Sequence, residues 1–194
     1  MKRTLGELRI IGGEWRSRRV AFDADPAIGL RATPDRVRQT LFDWLHPVIN
    51  GALCLDLFAG SGALGLEALS RGAGHCTFID TGRPQLQDIR AALALLKGGE
   101  RATVIQADAL RWLHAPTLAS GTQGFDVVFL DPPFGTDLMA RALPLLSPLL
   151  KPQHRVVLEW SGAKPELPAG FTWLKEKQAG QVSYGLVRHG PSQP

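Results

Sequence analysis

The feature that most limits the fold is an alternation of apolar runs and helical patterns between residues 52 and about 160. Apolar runs typical of buried strands fill five stretches, and patterns typical of helices fill four others. The strand candidates are 53–58, 75–80, 102–107, 125–130 and 154–160, and the helix candidates are 63–71, 83–97, 108–114 and 137–150. Such alternation predicts an α/β fold, in which helices cover both faces of a parallel sheet.

Shorter elements precede this core. Residues 8–11 and 15–22 predict two strands joined by a turn at Gly12 and Gly13. A helix is expected to begin near Thr33, with this residue as the N-cap and Pro34 in the first turn. Pro47 and Gly51 are expected to end this segment.

The last part of the chain predicts a closing hairpin. Residues 171–178 and 181–188 flank a turn at Ala179 and Gly180. The turn-rich stretches 115–124 and 161–170 are expected to be loops, and the tail after His189 is expected to be disordered.

Length and composition favour one soluble globular unit. The chain has 194 residues, of which 44% are hydrophobic and 21% are charged, and no apolar run is long enough to span a membrane. Cys54 and Cys76 lie inside strand candidates, so we expect buried thiols in a reducing cytoplasm and no disulfide framework. The five histidines do not cluster at ligand spacing, so no metal site is predicted.

A glycine loop joins the first strand candidate to the first helix candidate. Residues 59–65 (AGSGALG) match the G-x-G-x-x-G pattern, in which Gly60 and Gly62 permit a tight turn and a close approach to a ligand. Asp80 ends the next strand candidate, twenty residues past Gly60, as a ribose-binding acid does. This pattern alone fits NAD and S-adenosylmethionine equally well.

Three acids favour S-adenosylmethionine. Asp56, just before the loop, can meet the amino group of its methionine part, which NAD lacks. Asp108 can accept a hydrogen bond from an adenine amino group, and Asp131 belongs to a motif with no obvious use in hydride transfer. Taken singly, Asp80 and Asp108 are more often solvated strand-end residues or N-caps. Four acids at four successive strand ends are harder to explain in that way.

The motif Asp131-Pro132-Pro133-Phe134 follows the strand candidate 125–130, where ligand sites collect in α/β sheets. An ionised Asp131 can hold an exocyclic N–H of a flat base, and Phe134 offers a ring for stacking. The prolines stiffen the turn and leave the Pro132 carbonyl to point at the same amine. An ordinary turn that closes a strand is the alternative.

The excess positive charge lies near the N-terminus. Residues 1–40 hold nine Lys or Arg and five acids, whereas the remainder holds thirteen of each sign. A concentrated basic face is typical of nucleic-acid binding, although a solvated basic surface leaves the same pattern. The expected RNA contacts are Arg16, Arg18 and Arg19 in the hairpin and Arg36 and Arg38 in the helix. The last two lie off the centre of the helix's apolar stripe and are expected to be solvated, with an orientation toward the site as the alternative.

Several segments resemble a known family. Residues 56–68 (DLFAGSGALGLEA), together with 131–134 (DPPF), resemble class I S-adenosylmethionine-dependent methyltransferases. Residues 8–18 (LRIIGGEWRSR), 31–45 (RATPDRVRQTLFDWL) and 176–184 (EKQAGQVSY) resemble the bacterial 16S ribosomal RNA guanine-N2 methyltransferases of the RsmD type.

The resemblance implies a Rossmann-like, mostly parallel seven-stranded sheet with an antiparallel last strand, preceded by a β-hairpin and a helix. Residues 1–50 would form a basic RNA-binding extension and residues 51–190 the methyltransferase domain, in a single compact unit. The enzyme would be cytoplasmic and would methylate N2 of one guanine in 16S ribosomal RNA, in an assembled or assembling small subunit. S-adenosylmethionine would be the methyl donor.

The resemblance also assigns roles to individual residues. The family's ribose acid is usually Glu, where this chain has Asp80. Its cofactor contacts correspond to Asp56, Phe58, Ala59, Gly60, Gly62, Asp80, Asp108 and Ala109. Its catalytic motif corresponds to Asp131, Pro132, Pro133 and Phe134, and its RNA contacts include Arg31 and Thr33.

Three other functions stay open. One is methylation of another amine, in adenine of DNA or RNA or in protein glutamine. A second is an NAD-dependent oxidoreductase, and a third is a non-catalytic RNA-binding module.

Overall fold

The computed structural model describes residues 5–24, 33–118 and 124–190. The RNA contact predicted at Arg31 lies outside these residues, as does the tail from residue 191 onward.

Seven strands form one mostly parallel sheet, as the sequence predicts. They are β3 (Leu53–Asp56), β4 (His75–Asp80), β5 (Ala102–Gln106), β6 (Phe125–Leu130), β7 (Leu150–Ser161), β8 (Phe171–Ala179) and β9 (Val182–His189). Their order across the sheet is β5-β4-β3-β6-β7-β9-β8, and β9, the last strand, is antiparallel to both of its neighbours. The chain moves outward from β3 to β5 and then returns to β6, so a topological switch point lies between β3 and β6. Open α/β sheets bind ligands at such a point.

Helices cover both faces of the sheet. They are α1 (Asp35–Ile49), α2 (Ala63–Ser70), α3 (Arg83–Leu96), α4 (Ala109–His114) and α5 (Leu138–Leu145). The first three share a hydrophobic core with Phe129 of β6, whereas α4 and α5 share a second core with Val128 and Leu130. Consecutive residues of β6 therefore face opposite layers, as the alternation of side chains along a strand requires.

The N-terminal hairpin differs from its prediction. Its strands are β1 (Leu5–Arg9) and β2 (Arg19–Asp23), so the prediction of a second strand from residue 15 is wrong. Residues 12–17 instead form a turn that is bound to the end of α2: Ser70 accepts from the Glu14 N–H at 2.7 Å and from the Trp15 N–H at 2.9 Å. Gly13 has φ +76°, and a Cβ there would lie 1.8 Å from the Ser70 carbonyl oxygen. These contacts bury the Trp15 side chain.

Helix α1 departs from its predicted start, whereas it ends between Pro47 and Gly51. Pro34 is the N-cap, and Thr33, predicted for that position, precedes it with a buried side chain. The helix continues through Pro47 to Ile49. A proline so close to the C-terminus removes one backbone hydrogen bond, and the continued helix lets Ile49 reach the core.

The segment between α5 and β7 is the third correction. The predicted helix 137–150 stops at Leu145, a 3-10 helix covers 147–149, and β7 begins at Leu150. Pro148 cannot donate to an α-helical hydrogen bond, which accounts for the early end. The closing hairpin and the remaining core elements lie within two residues of their predicted bounds, and Cys54 and Cys76 are buried and free, as predicted.

Among the described residues, no helix combines the length and the apolar character needed to cross a bilayer. Within the same ranges, no group of three or more His, Cys, Asp or Glu side chains is arranged to hold a metal ion.

Candidate active site

Three carboxyl groups meet where β3, β6 and β7 end. Asp56 pairs with Phe129, so its side chain lies on the face covered by α1 and α2. Asp131 directly follows β6 and Glu159 lies near the end of β7, one residue after the paired Leu130 and Leu158. Alternation along each strand directs both side chains to the same face as Asp56.

The glycine loop borders these acids. It turns sharply between β3 and α2: the Gly62 N–H donates to the Ala59 carbonyl at 2.6 Å, and Gly62 caps the helix at φ 74°. The Ala59 N–H donates to Ile79 at 2.9 Å, which holds the loop against β4. Positive φ is an ordinary conformation for glycine, so Gly62 allows the tight turn predicted from the sequence.

Asp56 and Gly65 join β3 to the first turn of α2. The Gly65 N–H donates to Asp56 Oδ2 at 3.0 Å. A Cβ at Gly65 would lie 2.2 Å from the Phe78 ring, so only glycine lets α2 pack this closely on β4. The helix thus begins beside the acid that precedes the loop.

Asp80 ties the glycine loop to the loop after β4. Its Oδ2 accepts from the Gly60 N–H at 2.8 Å and its Oδ1 accepts from the Gly82 N–H at 2.7 Å. Each carboxylate oxygen has a second lone pair, so the side chain keeps the capacity to accept from hydroxyl groups.

Asp108 is the N-cap of α4. This structural role is the alternative to adenine binding at this position. Its Oδ1 accepts from the Arg111 N–H at 2.9 Å, and the residue is exposed at the end of β5. Ala109 is buried beside it, and Phe58 packs against the α4–α5 core. The cap leaves acceptor capacity on Asp108, because a carboxylate offers about four lone-pair positions.

The motif after β6 forms a stiff turn with one exposed ring. Pro132 is buried, and the Thr136 hydroxyl donates to the Pro133 carbonyl at 2.7 Å. Phe134 is 50% exposed, so its ring is accessible to a planar ligand.

Burial controls the charge of the acids. It raises the pKa of Asp56 to about 7, helped by the charges of Asp131 and Asp80 and opposed by the Gly65 hydrogen bond. Burial likewise raises the pKa of Asp131 to about 7. The pKa of Glu159 lies well above its usual range because of burial and the charges of Asp131 and Asp56; the Thr33 hydrogen bond and the Arg38 charge oppose the rise. Perturbed carboxyl groups of this kind concentrate at functional sites and favour a cationic ligand.

The predicted RNA contacts lie in two places. Arg16 is exposed in the turn at residues 12–17, Arg18 is exposed directly after this turn, and Arg19 is an exposed partner of Glu7 at 2.5 Å. That turn contacts Ser70 at the far end of α2, whose eight residues span about 12 Å from the glycine loop. Arg36, by contrast, is exposed in the first turn of α1.

The prediction that Arg38 is solvated is wrong, because its side chain is only 1% exposed. Its guanidinium donates to Asp35 at 2.6 Å and to Glu67 at 3.2 Å. It also donates to the carbonyls of Arg9 at 2.8 Å and Thr33 at 3.0 Å. These acceptors enclose the guanidinium, so Arg38 joins β1, α1 and α2 and is not exposed to a phosphate.

Glu159 is the site residue that the sequence analysis missed. It follows the apolar run Val156-Val157-Leu158, so the pattern of acids at strand ends extends to a fifth strand. This signal could have found it, because the other four acids were selected by the same rule.

Fold and site together define a class of protein. A mostly parallel seven-stranded sheet with an antiparallel last strand, a glycine loop after β3 and acids at the strand ends make this a Rossmann-like class I methyltransferase fold.

Comparison with known proteins identifies the family. The model of the family described as Conserved hypothetical protein 95 matches residues 8–188. Ribosomal RNA small subunit methyltransferase D of Escherichia coli K12 is 44% identical over 187 residues, covering 94% of this chain and 90% of that protein. The Haemophilus influenzae protein of the same name is 44% identical over 188 residues, covering 95% of both. The chain belongs to this family and is a methyltransferase.

A solved structure agrees with this assignment. The protein yhhF from Escherichia coli superposes with a TM-score of 0.82 at 41% identity, over 95% of this chain and 99% of that one.

Proposed function

We propose that this protein transfers a methyl group from S-adenosylmethionine to the exocyclic N2 of a guanine in small-subunit ribosomal RNA. The observation that carries the proposal is the position of Asp131, on the same face as Asp56 and beside the glycine loop, in a turn that exposes Phe134.

The charge of the site favours S-adenosylmethionine over NAD. Asp56 and Asp131 are acids whose ionised forms suit a ligand with a sulfonium and an ammonium group and oppose the pyrophosphate of NAD. Asp56 would face the ammonium group, Asp80 the ribose hydroxyls and Asp108 the adenine amine, with Phe58, Ala59, Gly60, Gly62 and Ala109 around them. When bound, this cofactor supplies an electrophilic methyl group.

The motif of residues 131–134 acts on the amine. Guanine N2 is a poor nucleophile because its lone pair is delocalised into the ring. An ionised Asp131 and the Pro132 carbonyl accept its N–H hydrogens, turn the lone pair toward the methyl group, and stabilise the positive charge that grows on nitrogen.

The base must leave its stack to reach Asp131. Unstacking costs a few kcal/mol, and stacking on Phe134 offsets this by about 1–3 kcal/mol. The stiff turn holds the ring and the carboxylate in one arrangement, so positioning supplies much of the rate acceleration.

Two observations support ribosomal RNA as the substrate. Both relatives compared above carry the small-subunit ribosomal RNA in their names. Arg16, Arg18, Arg19 and Arg36 are exposed near the N-terminus, in the segment 1–50 that we assign as the RNA-binding extension, beside a methyltransferase domain of residues 51–190. We place the reaction in the cytoplasm, on an assembled or assembling small subunit.

The test is methyl transfer from radiolabelled S-adenosylmethionine to naked 16S RNA, small subunits and DNA, followed by nucleoside analysis. We expect N2-methylguanosine from one of the two RNA substrates. At saturating cofactor, Asp131→Asn should lower the rate by about 10²-fold or more, because it removes the charge that stabilises the reacting amine.

The matched control is Asp137→Asn, which removes an exposed carboxylate six residues further along. It should leave the rate unchanged. Label found in methyladenine, or full activity in Asp131→Asn, would contradict the proposal.

A further inference from the structure

One carboxyl oxygen near the site has no hydrogen-bond partner among the described residues. Glu159 is 3% exposed, and this oxygen is its buried Oε1. Burying an ionised carboxylate without a partner is costly, and a buried acid avoids this cost by keeping its proton. An unpartnered oxygen among other acids therefore needs an explanation that packing does not supply.

Among the residues that the structure describes, no arginine or lysine forms an ion pair with Glu159. Within the same ranges, the titratable and charged side chains around it are Asp131 after β6, Asp56 on β3, Arg38 on α1 and Tyr184, the register partner of Glu159 on β9. Arg38 forms its ion pairs with Asp35 and Glu67. A proton is then the remaining means of removing the negative charge.

Asp131 is the neighbour best placed to share that proton. The two residues follow paired positions on adjacent parallel strands, which lie about 4.8 Å apart, and their side chains point to the same face. Two carboxyl groups that share a site do not both ionise readily, and one proton between them relieves the repulsion.

We propose that Glu159 is a positioning residue that shares one proton with Asp131 and, as the protonated partner, donates a hydrogen bond that orients the ionised Asp131 toward the substrate amine. The role in catalysis rests on the proposed amine methylation, whereas the shared proton is a property of the protein alone.

The first experiment measures how the pH midpoint of the single-turnover rate changes in two Glu159 variants. Single-turnover rates of the wild type should rise with pH as Asp131 ionises, because burial raises the pKa of this carboxyl group above its usual range. Glu159→Gln keeps a neutral donor, so it should keep the wild-type midpoint and most of the rate. Glu159→Leu removes the donor that stabilises the Asp131 anion. Its midpoint should move to higher pH, and its rate should fall by about 10–100-fold.

The opposite shift would overturn the proposal. If Glu159 carried a negative charge while Asp131 titrates, removing that charge in Glu159→Gln would lower the Asp131 pKa and move the midpoint to lower pH. A wild-type rate and midpoint in Glu159→Leu would also refute the positioning role.

Leu158→Ala separates this effect from a general loss of stability. Leu158 is fully buried beside Glu159 and belongs to the core on the opposite face. Its truncation should lower the denaturant concentration at which the protein unfolds and leave the pH midpoint unchanged. A shift equal to that of Glu159→Leu would assign the effect to packing and overturn the proposal.

The second experiment needs no substrate. Carbon-13 NMR of labelled side-chain carboxyl groups follows Asp131 and Glu159 as pH changes in the free protein. We expect Glu159 to be protonated at pH 7 in the wild type, and its pKa to fall in Asp131→Asn, because the Asp131 charge is removed.

An unchanged Glu159 titration in Asp131→Asn would refute the shared proton, whatever the enzyme methylates. Conversely, a failure to methylate guanine would refute the proposed function and leave this measurement valid. The two failures are therefore distinguishable.

Discussion

At the scale of a single residue, Asp56 shows how the burial of a carboxyl group lowers stability. It is 3% exposed, and burial raises its pKa to about 7. Its pKa in the unfolded chain is near the ordinary value of about 4. Between these values the folded protein binds the extra proton, so this group's contribution to stability falls as pH rises from about 4 to about 7 and is level above that.

Asp56→Asn should therefore stabilise the cofactor-free protein at high pH. The amide oxygen can still accept the Gly65 N–H, and the charge is gone. We expect a gain of about 1–4 kcal/mol at pH 8 that disappears near pH 4, measured by urea unfolding at both values. The exposed Asp137→Asn should show no such pH dependence. Equal stability of Asp56→Asn and wild type at pH 8 would refute this explanation.

At the scale of elements, one buried carboxylate joins three pieces of secondary structure. Glu67 of α2 is fully buried and accepts from the Ile11 N–H after β1, from Arg38 of α1 and from Arg71, at 2.7–3.2 Å. Arg71 also stacks over the Phe42 ring at 5.1 Å. Because α2 begins at the glycine loop, this network also fixes the helix that borders the site.

Removing this carboxylate should be severe. Glu67→Ala leaves the Arg38 guanidinium buried with one ion-pair partner fewer, so we expect a loss of about 3–5 kcal/mol in chemical denaturation. The comparison variant is Glu7→Ala, which breaks the exposed pair with Arg19 and should cost at most about 1 kcal/mol. Similar losses in the two variants would show that the buried network is no stronger than a surface pair.

At the scale of the whole molecule, two exposed arginines near the N-terminus lie away from the candidate site. Arg16 is in the turn bound to Ser70 and Arg18 directly follows this turn, at the opposite end of α2 from the glycine loop. A substrate that reached both places would have to extend along the helix, as a long RNA strand can. The turn is then suited to affinity and not to the methyl-transfer step.

Arg16→Gln combined with Arg18→Gln should weaken RNA binding and leave the single-turnover rate at saturating RNA unchanged. Each lost phosphate contact on a single strand lowers the slope of log K against log salt by about 0.7. A salt titration of binding measures this change. Arg111→Gln combined with Arg141→Gln removes equal charge from exposed positions on α4 and α5 and should leave the slope unaltered. An unchanged slope in the first pair would leave the turn without a role in RNA binding.

Local pattern was sufficient for most of the fold and much of the site. The apolar runs predicted every strand of the sheet, since a buried strand needs only short-range periodicity to be recognised. The glycine loop and the acids at the ends of β3, β4, β5 and β6 could be selected in the same way. The loop and the acids can be recognised because each residue is identified by its position relative to the end of its own strand.

Tertiary contacts decided the rest. Arg38 was predicted to be solvated from its position on α1, but its side chain is buried because it donates to Glu67, 29 residues away. Trp15 was predicted to begin a strand, but it lies in a turn whose backbone N–H groups donate to Ser70, 55 residues away. Glu159 joins the site only because β7 lies beside β6. The sequence by itself determined which elements form, because periodicity and glycine act locally. Which side chains are buried together, and which carry a proton, depended on surfaces that meet only in the folded chain.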